Sequence, residues 1–114
     1  MTKTKLISRV LQKLKVLAMG EDVAPEDSAL VSEFYDEVYE ELKQKGVATW
    51  SSVEDIPSLQ AQQVIKIVAS RCADDFEHEE LNTQRLLLEE SQAMIKLDEY
   101  IHVPYVSASE TESY

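Results

Sequence analysis

Apolar residues fall at three- and four-residue steps in four stretches of the chain, the spacing that gathers side chains on one face of a 3.6-residue helix. In the first stretch Leu6, Ile7, Val10, Leu11, Leu14, Leu17 and Ala18 form the stripe. Gly20 follows as the predicted stop, because glycine takes the left-handed conformation that closes a helix C-terminus. Lys13 and Lys15 then lie at the negative end of that helix dipole. Pro25 suits a first helical position, and Glu26 and Asp27 complement a positive helix start. A second helix is therefore predicted over 25–45, with Leu30, Val31, Phe34, Tyr35, Val38 and Leu42 as its stripe and Gly46 as its stop. Residues 47–57, broken by Ser51, Ser52 and Pro57, read as a connector. The third helix, over 58–77, puts Ala61, Val64, Ile65, Val68, Ala69, Cys72 and Phe76 on one side and is expected to be central. A fourth, over 80–100, shows Leu81, Leu87, Leu88, Met94, Ile95 and Leu97, with Glu89 and Glu90 interrupting the stripe. Pro104 is expected to block its continuation. Short connections favour antiparallel neighbours. The predicted fold is all-α: a small antiparallel bundle of about four helices over residues 1–100, with an extended C-terminal arm over 101–114.

At 114 residues the chain has the length of one domain and can bury a core of its own. Its 22 acidic against 11 basic residues give a net charge of −11, which argues against a free-standing nucleic-acid binder, since phosphate is met by an excess of Lys and Arg. No apolar run approaches the roughly 20 residues needed to span a bilayer, and Arg9, Lys13 and Lys15 interrupt the first helix. No membrane association, no secretory signal and a soluble protein in the cytoplasm where it is made are the expectation. Cys72 is the single cysteine, so an intrachain disulfide is excluded. Charge is also segregated. Residues 1–19 carry Lys3, Lys5, Arg9, Lys13 and Lys15 and no acid, whereas residues 20–46 carry nine acids against Lys43 and Lys45. The basic strip is either solvated beside the acidic second helix of the same or a neighbouring copy, or it meets DNA phosphates or an acidic protein surface.

Candidate chemistry is sparse. Asp75-x-x-His78 and Glu99-x-x-His102 have the i, i+3 spacing of carboxylate–histidine ligands in metal-binding bundles. Both lie near predicted helix ends, where little wall could surround a metal. Cys72 follows Val68 and Ala69 on the apolar face, with Asp74 and Asp75 nearby to oppose a thiolate. It reads as core. Two glycines in all, both placed as helix stops, leave no phosphate loop. No catalytic residue, cofactor or metal is assigned, and the chain is not expected to be an enzyme. Trp50 is either a lid over one end of the bundle or an anchor in a neighbouring subunit, and Tyr35 and Tyr39, one turn apart, admit the same two roles. Val103 and Tyr105 alternate as an extended strand would present them, which suits strand addition to a partner.

The stretch Lys5-Leu-Ile-x-Arg-Val-Leu-x-Lys-Leu-Lys-Val-Leu-Ala-Met-Gly20-Glu-x-x-x-Pro25-Glu-Asp27 resembles the opening of bacteriophage head-to-tail connector proteins, of the adaptor or tail accessory factor type. The likeness continues through Tyr39-x-x-Leu42-x-x-x-Gly46-Val47, Trp50, Ile56-Pro57, Val64, Val68-Ala69, Arg71 and Ala73-x-x-Phe76, and so covers residues 5 to about 76. The resemblance implies a structural protein at the head–tail junction of a virion, a ring of twelve copies under the portal protein that offers a platform to tail proteins. Packaged DNA would pass its lumen without sequence-specific binding. It also implies a portal-contacting role for the C-terminal extension, carried here by Val103, Tyr105, Val106 and Tyr114, with Tyr35, Tyr39 and Trp50 as further interface candidates. The alternative from composition alone is a small acidic helical regulator, or a nucleic-acid mimic, that binds a single protein partner.

Overall fold

Thr2, in an extended conformation, opens the first helix by accepting the Lys5 N–H on its Oγ1 at 3.2 Å, which satisfies one free donor of a helix start. From there the computed structural model, which describes residues 1–51, 54–76 and 80–110, is an antiparallel bundle of four α-helices. They are α1 Lys3–Lys13, α2 Pro25–Gln44, α3 Ser58–Cys72 and α4 Glu80–Glu110, with a 3₁₀ turn Ala73–Phe76 after α3. No strand occurs among the described residues.

The first helix is shorter than its apolar pattern predicts. It ends at Lys13 rather than running on to Gly20, because Lys15 takes a left-handed φ of +63°. The Val16 N–H then bonds the Leu11 carbonyl at 2.9 Å and the Lys15 N–H bonds the Gln12 carbonyl at 3.0 Å. These are the two crossed bonds of a Schellman stop. Leu14 still reaches the core and Leu17 packs partly against it, so the stripe continues in space although the helix does not. Gly20, at φ +86°, serves a separate turn in which the Glu21 N–H bonds the Ala18 carbonyl at 3.1 Å and the Glu21 carboxylate accepts the Ala18 N–H at 2.7 Å. Positive φ at the third residue of such a turn is where glycine is favoured. The second helix behaves as expected. Pro25 is its first residue, and Gly46, at φ +76°, completes a second Schellman stop through Val47 N–H to Leu42 O and Gly46 N–H to Lys43 O, each 3.0 Å.

Helix α3 is central. It packs against α1, α2 and α4, and Ala61, Val64, Ile65, Ile67, Val68, Ala69 and Cys72 are all buried along it. Its last predicted turn is 3₁₀ rather than α, and Phe76 there is half-buried. The register of α4 differs from the predicted stripe. Leu86, Ala93 and Leu97 are buried, whereas Leu87, Leu88 and Ile95 are exposed. Glu90 stands in the inward-facing row at 86, 90, 93 and 97, so a pattern that penalises charge selects the wrong side. Helix α4 also continues to Glu110, past Pro104, where the sequence predicts an extended arm from residue 101. A proline inside a helix removes one hydrogen bond and crowds the preceding turn without forbidding continuation. Residues 111–114 of that arm lie outside the described residues.

Candidate functional site

Three features of the bundle can carry function: a cluster of aromatic rings at one end, an arginine that ties three helices, and two surfaces of opposite charge.

The rings come together because α2 places Tyr35 and Tyr39 one turn apart and the connector after Gly46 folds back over them. Their centroids are 6.1 Å apart and stacked, and Trp50 lies 5.9 Å from Tyr39. The Trp50 indole N–H donates to the Tyr35 hydroxyl at 3.3 Å, and the Tyr39 hydroxyl donates to the Trp50 carbonyl at 2.8 Å. Burial is the main reason that the Tyr35 phenol is pushed up to about 12, so it stays neutral. Lys3 and Lys43 cap the outer ring faces at 5.6 and 5.5 Å. Relative exposures of 0%, 5% and 7% for Tyr35, Tyr39 and Trp50 leave these side chains little area to offer a neighbour. Within the single chain Trp50 lies over Tyr39, the arrangement of a lid.

Arg71, near the end of α3, was visible in the sequence only as part of the resemblance. Its Nη1 and Nη2 donate to the two carboxylate oxygens of Glu41 on α2, each at 3.1 Å, and its Nε donates to Glu90 on α4 at 2.9 Å. Such a two-pronged fit is available to a planar guanidinium and not to an ammonium. The hydrogen bond from Arg71 is the largest reason that the Glu41 carboxyl lies below its usual range, and Arg71 in turn is held more firmly protonated, first by Glu41 and then by Glu90. On the other flank Lys13 of α1 meets Glu89 at 2.7 Å. The adjacent glutamates that interrupted the predicted stripe are thus braces to two different helices. The cation one residue before core-facing Cys72 was the signal that could have located the partner of Glu90.

Cys72 is fully buried, and its thiol is pushed up to about 12, first by burial and also by Asp75. A thiol so held is protonated at neutral pH, the opposite of what a nucleophile needs. Of the two carboxylate–histidine pairs, Asp75 is exposed in the 3₁₀ turn and Glu99 is exposed on α4, 3.7 Å from Lys96. His78 lies outside the described residues, as does the side chain of His102. Among the described residues no group of three or more His, Cys, Asp or Glu is placed to hold a metal, and no helix is long and apolar enough to cross a membrane.

The charged surfaces occupy different sides of the molecule. On α2, Glu26, Glu33, Glu37 and Glu40 are all exposed; their spacing of seven, four and three residues puts them within a narrow stripe on the helix. Glu40 has a loose ion pair with Lys43 at 3.9 Å. Between α1 and α3 runs a groove of about 390 Å³ lined by Arg9, Gln12, Lys13, Gln62, Ile65 and Lys66. Lys66 also lines a second hollow of about 290 Å³, where α3 meets α4, together with Lys96, Gln63 and Gln92. The sequence singled out the basic half of α1 but not Lys66, which joins it only through the packing of α3.

Of the remaining interface candidates, the side chains of Val103, Tyr105 and Val106, and all of Tyr114, lie outside the described residues. No family model matches this chain, and neither a curated protein nor a solved structure matches it.

Proposed function

We propose that the protein is a structural adaptor of the head-to-tail connector type, which assembles as a ring beneath a phage portal and joins the DNA-filled head to the tail. The observation that carries this reading is the ordered resemblance over residues 5 to about 76. Its positions have coherent physical roles: the α1 stripe packs inward, Pro25 starts α2, Gly46 and Val47 stop it, Trp50 covers the end, and Arg71 ties α3 to its neighbours. A role of this kind is geometric. It asks for a rigid small bundle with several distinct outer faces, and the strongly acidic surface suits a channel through which DNA passes without adhering. Portal contact is assigned to residues 103–114, by resemblance.

The test is to mix the purified chain with its portal and image the product by negative stain. A ring seated under the portal is the expected result. A chain lacking residues 103–114 keeps every described core residue and should remain folded by circular dichroism, but should co-sediment with portal far more weakly. Full-length protein that ignores the portal and forms a stable one-to-one complex with another protein would instead assign the small acidic regulator.

A further inference from the structure

We propose that the groove between α1 and α3, around Arg9 and Lys66, receives the acidic stripe of α2 from a second copy of this chain, so that copies join head to tail. Three observations converge on that occupant. The groove concentrates Arg9, Lys13 and Lys66 in a chain whose net charge is −11. Lys13 is engaged with Glu89, while Arg9 and Lys66 have no ion pair among the described residues. The stripe offers the complement: exposed Glu26, Glu33 and Glu37 likewise have no ion pair among the described residues. Glu33 and Glu37 are four residues apart and Glu37 and Glu40 three apart, the spacings at which like charges on a helix repel. Cations from outside the chain relieve that repulsion. Gln12 and Gln62 add amide donors beside the cations, and Ile65 adds an apolar part to the lining.

The two surfaces share no residue and no α2 residue lines the groove. A copy can therefore give its stripe to one neighbour while its groove accepts another, which is a heterologous contact and propagates into a closed ring or an open filament. Closure into a ring rests on the adaptor reading; the pairing of groove with stripe does not. Because the contact is between charges at the surface, with Arg9 exposed and Lys66 half-buried, it weakens once salt screens them over about 8 Å.

The test uses the full chain and two double variants, Arg9→Glu with Lys66→Glu and Glu33→Lys with Glu37→Lys, in sedimentation at low and raised salt. Wild type should show a mass that grows with concentration and falls back to the monomer as salt rises. Each variant alone places like charges on both surfaces and should stay monomeric with unchanged helicity. Mixed in equal amounts, they present an acidic groove to a basic stripe and the converse, and association should return. Wild type of constant monomeric mass, variants that associate like wild type, or a mixture that stays monomeric would each overturn the proposal. So would a DNA duplex bound by wild type and lost in Arg9→Glu with Lys66→Glu, without self-association. Charge-dependent association in a protein that ignores the portal overturns the adaptor reading alone, whereas portal assembly untouched by both variants overturns this contact alone.

Discussion

Helices α3 and α4 lie against each other and both are rich in leucine, isoleucine and valine or their equivalents, yet they are stabilised in different ways. Helix α3 has three neighbours and is buried on most of its circumference. Its apolar side chains contribute in proportion to the area they remove from water. Helix α4 has one principal neighbour. Among its described side chains the buried row runs through Leu86, Ala93 and Leu97, with Met94, Tyr100 and Ile101 partly covered, and large apolar residues face outward at Leu87, Leu88 and Ile95. The buried residues set which side of α4 faces α3, and two charged contacts, Glu90 to Arg71 and Glu89 to Lys13, reinforce it. In α3 burial on several sides makes the apolar pattern unambiguous, whereas in α4 a narrow buried row shares its side of the helix with charges that find partners on α3 and α1.

The sharpest break in this comparison is a charge placed in α3. Val68 is fully buried, and Val68→Asp would bury a carboxylate with no partner, at a cost of several kcal/mol, roughly the stability of a small domain. The variant should lack a cooperative thermal transition; a wild-type melting curve would show that α3 is not the centre of the bundle. Next in size is a pair on α4. Leu97 is fully buried and Leu88 is 59% exposed, so Leu97→Ala should cost roughly 2–5 kcal/mol and Leu88→Ala no more than about 0.5 kcal/mol in urea unfolding. Equal effects would place α4 in the other register.

Arg71→Ala tests the charged brace. Loss of its hydrogen bonds to two partly exposed carboxylates should cost about 2 kcal/mol at neutral pH. The pH dependence carries a further signature. Glu41 has its folded pKa lowered, so its contribution is present above the unfolded value of about 4.3 and is lost as pH falls through the folded one. Wild type should therefore lose stability over that acid range with a steeper slope than Arg71→Ala. Parallel slopes would mean that the fork is not formed in solution.

The contrast between the helices also explains what could be read from the sequence. Four helices, the centrality of α3, the start at Pro25 and the stop at Gly46 follow from local patterns that the packing does not oppose. The stop at Lys15 was not legible, because a left-handed lysine has no residue-type signal: it is held by Val16 closing onto the Leu11 turn and by the burial of Leu14. The α4 register was not legible because Glu90 is tolerated in the seam only in the presence of Arg71, nineteen residues earlier. For the candidate surfaces, the basic first helix was visible, but Lys66 and the groove it completes depend on the angle at which α3 meets α1. Tyr35 and Tyr39 were legible as a pair and Trp50 only as a separate connector residue, because their union into one cluster comes from the connector folding back.

Arg71 has a consequence for how the chain can change over generations. It links Glu41 on α2 to Glu90 on α4, two helices that share no major packing surface, so the tolerance of one position depends on residues far from it in sequence. Replacement of the arginine leaves Glu90 without its cation, while Glu41 keeps Lys45 at 3.2 Å. Positions 71 and 90 are therefore expected to change together, and position 41 to be less tightly bound to them.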